Sequence, residues 1–244
     1  LNATKDTVES TSVEVLGVLA KFWQPSEVKT RLARSIGSHA AAQLHRAALT
    51  TTLTRLSHLA ERRTLVFTPE ERRDDFAALG PVVDGSWNLR PQVAGDLGER
   101  MAGFFADEVD RGAGRIVLLG SDSPTVPVAY IDQALEALRE RDVVLGPSRD
   151  GGYYLVGQSS PQPDMFAHVD WSTEQVWPQT LARLDLLEVT YTVLPEWYDV
   201  DTIEDLRRLA IEIDHASEPG ESFDVLRDAV QTAIAAGDWR RRHP

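Results

Sequence analysis

The residue most in need of a chemical reason is Asp122, in the stretch RIVLLGSDSPTVPV. A carboxylate set between two serines, just after the apolar run Ile116–Leu119 and just before Pro124, can brace a turn or cap a helix through nearby N–H groups. It can equally be a hard oxygen ligand for Mg2+ or Mn2+, which take one or two carboxylates and complete their shell with substrate phosphates. The hydroxyls of Ser121, Ser123 and Thr125 are available for the bracing. A second acidic stretch, EWYDVDTIEDL, places Asp201 three residues before Glu204, the spacing of a capping box. Asp199 is not needed for that box, so Asp199 and Asp201 could complete a divalent-metal site with Asp122.

Positive charge collects in KFWQPSEVKTRL, where Lys21, Lys29 and Arg31 stand out in a chain of net charge −13. Such a cluster after a strand suits a phosphate, although each cation alone is explained as solvated surface. The loop lacks the P-loop pattern, which removes ATPase chemistry of that type. In QVAGDLGERM, Gly95 and Gly98 permit a compact turn and Gln92 offers the donor and acceptor needed to read a nucleobase edge. Asp96 is placed to cap the helix that follows. In GPSRDGGYYLVG, Asp150 could hold hydroxyls, while Gly151 and Gly152 allow close backbone approach to a ligand beside Tyr153; a plain hairpin turn explains the glycines as well. None of the six histidines is spaced as a metal pair, and Trp171 lies in a loop able to line a pocket.

These loops need a frame that brings them together. VEVLGVLA, RTLVFTP, RIVLLG and DVVLGPS read as buried strands, GGYYLVGQ as a further strand, and EVTYTV as a last one. Helical patterns alternate with them: a long stretch from about 28 to 61 with a break at Gly37 and Ser38, then EERRDDFAAL, the segment after Gly95, the segment opened by Pro127, TEQVWPQTLARLDLL, and the run after Asp201. Alternating β and α predicts an α/β fold, a mostly parallel sheet with helices on both faces, in which loops at the strands' C-terminal ends share one edge.

Composition sets the outer limits. A net charge of −13 and a pI near 4.9 argue against a general nucleic-acid or anionic-membrane surface. The absence of Cys removes disulfides, thiolate chemistry and cysteine-ligated zinc. The segment LNATKDTVESTS lacks the regions of a signal peptide and no apolar run approaches ~20 residues, so a cytoplasmic location is expected. Residues 1–12 are expected to be a polar leader, 13–214 the single domain, and 215–244 a linker with a helical appendage.

Taken together, VKTRL, GDLGERM, GSDSP, GPSRDGGYYLVG and DVDTIEDL, in that order, resemble a bacterial family of small nucleotide-diphospho-sugar transferase-like proteins of the radical-SAM/selenodomain-associated type. Five ordered motifs over roughly 13–209 are more specific than any one. The resemblance implies a Rossmann-like glycosyltransferase-A fold that binds a nucleotide-sugar with Mg2+ or Mn2+. It makes Asp122 the metal-binding aspartate, with Asp201 and Asp199 as the second acidic position. Lys21, Lys29 and Arg31 fall on the phosphates, and Asp150 or Tyr153 on the sugar or acceptor. One departure is Pro25-Ser26, where the family has Pro-Gly; serine does not take glycine's conformations freely, which predicts a first loop that is reshaped or catalytically weaker. The implied reaction is glycosyl transfer to a small-molecule acceptor. The alternatives are nucleotidyl transfer from an NTP to a phosphorylated small molecule, and a non-catalytic nucleotide-binding partner protein.

Overall fold

The computed structural model describes residues 12–216 and 223–242. The leader expected at 1–12 lies outside these apart from Ser12, as does most of the linker after 215. Seven strands form one sheet: β1 (Val13–Lys21), β2 (Arg62–Thr68), β3 (Asn88–Pro91), β4 (Ala113–Gly120), β5 (Val143–Pro147), β6 (Tyr153–Gln158) and β7 (Tyr191–Val193). Their order across the sheet is β3-β2-β1-β4-β6-β5-β7. All neighbours run parallel except β6, which is inserted antiparallel between β4 and β5.

The helices are α1 (Thr30–Ile36), α2 (Ser38–Arg55), α3 (Arg73–Ala77), α4 (Gly80–Val83), α5 (Leu97–Asp110), α6 (Val128–Ala137), α7 (Val176–Leu186), α8 (Ile203–His215) and α9 (Asp224–Arg242). The expected break falls at Gly37, whose φ of 92° ends α1 and starts α2 at a fresh angle. Strand residues alternate between two cores, as their period of two requires. Leu16, Val18, Leu65, Phe67, Val117 and Leu119 pack with α2 and α6. Val15, Val66, Ile116 and Leu118 pack with Met101, Phe104 and Phe105 of α5 and Leu184 of α7. The sheet is therefore covered on both faces.

A third cluster joins α1, α2, α8 and α9 around Leu32, Leu44, Leu206, Leu209, Leu226 and Val230. Helix α9, at the end of the chain, thus packs against the same body that carries the cationic loop. Among the described residues no helix is long and apolar enough to cross a membrane.

Candidate functional site

Three strand ends set the centre of the site. Lys29 follows the loop after β1, Asp122 the end of β4, and Asp201 the loop after β7. Lys29 Nζ lies 2.5 Å from Asp122 Oδ1 and 3.0 Å from Asp201 Oδ1, and its side chain is only 4% exposed. Lys29 itself has φ 49°, a left-handed conformation that turns the chain into α1. The lysine expected to be a surface or phosphate cation is thus a buried counter-ion that holds two acidic loops together. Burial works against its charge, yet Asp122, Asp201 and Asp199 hold its pKa above the ordinary lysine range.

Asp122 has two unlike oxygens. Oδ1 is buried against Lys29 Nζ and 3.4 Å from His45 Nδ1, while the side chain as a whole keeps 42% exposure, so the other oxygen opens into the cleft. Burial opposes ionisation, but the Lys29 ammonium and the His45 ring hold this carboxyl well below the usual range. His45, on the inner face of α2, is fixed by its other nitrogen, Nε2, which donates to the Lys21 carbonyl at 3.0 Å.

Asp199 is set differently. Its oxygens accept from Ser123 Oγ at 2.6 Å and Ser148 Oγ at 2.7 Å, so it ties together the loops after β4, β5 and β7. Burial, helped by the Asp122 charge, raises its pKa to about 6 against the serine bonds and Lys29. The cap of α8 corrects the sequence expectation: the box is Thr202 with Asp205, not Asp201 with Glu204. Both pairs fit the pattern, and moving the box by one residue frees the Asp201 carboxylate for Lys29.

Two cavities meet at this centre. One, of about 650 Å³, is lined by Lys21, Gln92, Arg100, Gly120 and Ser121 among others. The second, of about 810 Å³, is lined by Arg31, Asp150, Gly152, Trp171 and Glu174 among others. Lys29, Leu97, Asp122, Tyr153 and Asp201 line both. Of the predicted cations, Lys21 is half exposed and donates to the Glu27 carbonyl, whereas Arg31 is exposed on the far side of the centre. The phosphate cluster read from the sequence is therefore divided between two cavities.

Several other expectations resolve into structural roles. The Gln92 amide donates at 3.0 Å to both the Ala20 and Val66 carbonyls, and its oxygen faces Arg100 at 3.4 Å. Both of its donors are thus spent on strand ends, leaving none to read a base. Asp96 forms a capping box with Glu99 at the start of α5, beside Gly95 at φ 124°. Asp150 accepts from the Gly152 N–H at 3.0 Å, the hairpin alternative, while its side chain still borders the second cavity. Gly151 has φ 90° and passes so near Glu174 that a Cβ there would stand 2.8 Å from its Cα. Ser26 takes φ 72°, so this loop keeps the glycine-type conformation despite its serine.

His45, Arg100, Ser148 and Glu174 escaped the sequence reading. Only His45 left a trace: it falls one turn from Ala41 and from Ala48, on the buried stripe of an alanine-rich helix. Among the described residues no group of three or more acids or histidines converges into a ready-made metal cage. The side chains of Asp122 and Asp201 nevertheless keep 42% and 35% exposure, and their oxygens turned away from Lys29 are hard donors of the kind and number that Mg2+ takes from protein when phosphates complete its shell.

Comparison with known proteins identifies the family and the fold. Residues 51–173, half the chain, match the family model described as "Uncharacterized protein conserved in bacteria (DUF2064)". The crystal structure of a presumed nucleotide-diphospho-sugar transferase from Desulfovibrio desulfuricans G20 superposes with a TM-score of 0.82 at 30% identity, covering 93% of this chain and 98% of the other. A 3-phospho-D-glycerate guanylyltransferase from Phenylobacterium zucineum (strain HLK1) is 37% identical over 106 residues. That match takes in 43% of this chain and 47% of the relative, so the chain spans about half the length of the curated relative it matches. The 4-diphosphocytidyl-2C-methyl-D-erythritol synthase of Anaerococcus prevotii DSM 20548 shares the fold, with a TM-score of 0.58 at 12% identity over 84% of this chain and 97% of the other. The fold is that of nucleotidyl and nucleotide-sugar transferases.

Proposed function

The chain belongs to the DUF2064 family, and on that premise we propose that it is a divalent-metal-dependent transferase that moves a sugar from a nucleoside diphosphate to a small hydroxyl-bearing acceptor. One observation carries the reading: the Lys29–Asp122–Asp201 centre stands where two unlike cavities meet. The first offers Lys21 and Arg100 beside Lys29, cations suited to a nucleotide's phosphates. The second adds Asp150, Glu174 and the Trp171 ring, acceptors and an apolar face suited to sugar hydroxyls and C–H groups. Donor and acceptor would lie on either side of one charge centre.

Asp122 and Asp201 would hold Mg2+ or Mn2+, with Asp199 bracing the loops behind them. When bound, the metal neutralises the diphosphate and stabilises it as a leaving group. The residues supply the rest: Lys29 stays beside the developing phosphate charge, and the buried cleft orients the two substrates. In the transfer the bond from the anomeric carbon to the β-phosphate oxygen breaks, its electron pair leaving with the nucleoside diphosphate. The acceptor oxygen forms the new bond and gives up its proton, for which the Asp150 carboxylate is the base within the second cavity.

A second reading, nucleotidyl transfer from an NTP to a phosphorylated acceptor, is favoured by the local match to a guanylyltransferase and by Arg31 at the acceptor side. The two differ in their small product. The test incubates the protein and Mn2+ with a panel of nucleotide-sugars and, separately, with NTPs and phosphorylated hydroxy compounds. Metal-dependent release of nucleoside diphosphate supports glycosyl transfer. Release of pyrophosphate moves the assignment to nucleotidyl transfer. Neither product across both panels contradicts the transferase reading.

A further inference from the structure

Glu212, two and a half turns along α8 and outside both cavities, holds a position that the chemistry described so far does not use. Its Oε2 accepts from Thr125 Oγ1 at 2.9 Å and from Tyr198 OH at 2.6 Å. Thr125 stands three residues after Asp122, and Tyr198 three residues before Asp201. One carboxylate oxygen therefore grips both loops that carry the paired acids. The other oxygen, Oε1, accepts from Arg208 Nε at 2.9 Å, and the Arg208 guanidinium lies 3.8 Å over the Tyr198 ring. Tyr198 is fully buried, so its hydroxyl needs a hydrogen-bond partner, and the Glu212 carboxylate is its charged acceptor. Where the two loops meet, the Val200 N–H donates to the Asp122 carbonyl at 3.0 Å, a direct record of their registry.

We propose that Glu212 is a positioning residue that sets the separation of Asp122 and Asp201, and so the affinity of that pair for a divalent cation. The second clause rests on the proposed function; the first does not. A surface salt bridge between Glu212 and Arg208 alone would need neither hydroxyl. The directed bonds to two loops from a helix whose own N-terminus follows Asp201 tie the acid pair to a rigid element, as outer-shell partners do for metal ligands.

The test compares wild type, Glu212→Ala, Glu212→Gln, Tyr198→Phe and Thr125→Val by two readouts. Amide hydrogen exchange at Val200 reads the loop registry without any metal, and Mn2+ titration followed by electron paramagnetic resonance reads the acid pair. For Glu212→Ala we expect Val200 to exchange roughly tenfold faster, the effect of losing about one net hydrogen bond. We expect Mn2+ to bind about 10- to 100-fold more weakly. Glu212→Gln, which retains an acceptor oxygen, should recover part of both effects. If Glu212→Ala does not fold, Tyr198→Phe and Thr125→Val each remove one bond and must show the same two changes at smaller size. Unchanged exchange at Val200 in folded variants overturns the brace. Faster exchange with unaltered Mn2+ affinity overturns its role at the acid pair. Wild type that binds no Mn2+ while the variants still speed Val200 exchange leaves the brace standing and refutes the metal-dependent function instead.

Discussion

Replacing Lys29 by methionine removes the charge from the centre of the site while keeping most of the side chain's length. Removing one member of a buried ion pair costs about 3–5 kcal/mol, because the partner charge is left behind. Lys29 is 4% exposed, but Asp122 and Asp201 keep 42% and 35% of their side-chain exposure, so water screens the orphaned carboxylates. That screening reduces the cost to roughly half, about 2 kcal/mol. For a chain of this size the melting temperature should fall by about 4–8 °C. At any one concentration a divalent ion must then stabilise Lys29→Met more than it stabilises wild type. In wild type the ammonium already stands between the carboxylates, whereas in Lys29→Met the ion alone can relieve their repulsion. Mn2+ at a hundred times its dissociation constant contributes about 2.7 kcal/mol, enough to restore the variant. The assay is thermal denaturation of both proteins with and without Mn2+. Equal stability of the two proteins without metal, or equal stabilisation of both at the same Mn2+ concentration, contradicts the role of Lys29 as the counter-ion of the two acids.

Other substitutions probe the packing and backbone around the site. Glu108, fully buried between Arg62 and Arg90, is the anchor between α5 and strands β2 and β3; Glu108→Gln should lower the urea-denaturation free energy by about 3 kcal/mol, and a loss under 1 kcal/mol contradicts that role. Ser26 at φ 72° bears the left-handed cost, so Ser26→Gly should stabilise by about 0.5–1 kcal/mol after glycine's own entropy is counted; destabilisation in the same assay argues against it. A Cβ on Gly98 would stand 2.8 Å from the Trp171 ring, so Gly98→Ala should cost about 1–3 kcal/mol, largely recovered by adding Trp171→Leu. Additive losses in that double variant would show that the two residues are not in contact.

The frame was legible wherever the signal was local. VEVLGVLA, RTLVFT and RIVLLG are apolar runs too short for helices, and each became a central strand of the sheet. Gly37 was visible as a helix break because its positive φ is a property of glycine itself. Pro178 sits in the first turn of α7, where its missing N–H costs nothing. Strand β3, NLRP, was missed because four residues with an Arg and a Pro carry no strand pattern; pairing with β2 alone makes it one. The antiparallel insertion of β6 was equally hidden, since strand order depends on partners far along the chain.

At the site the acids were legible and their partners were not. Asp122, Asp199 and Asp201 declare themselves by sitting after strands, but which of them meets Lys29 depends on a contact spanning 172 positions. The capping box was read one residue early because both DTIE, from Asp201, and TIED, from Thr202, satisfy the same four-residue rule. Gln92 looked like a base reader because its amide chemistry is the same whether it meets a ligand or two backbone carbonyls. Glu212 had no signal at all, being one more acid on an amphipathic helix.

Whether Asp122 joins a divalent cation to nucleotide phosphates is decided by calorimetric titration of a nucleoside diphosphate into wild type and Asp122→Asn, each with and without Mn2+. Asparagine keeps the shape and removes the charge that the cation requires. Wild type should bind the nucleotide far more tightly with Mn2+ than without, and Asp122→Asn, still folded by its cooperative melt, should lose the metal-dependent part. A folded Asp122→Asn that binds the nucleotide with wild-type, Mn2+-dependent affinity would contradict that role for Asp122.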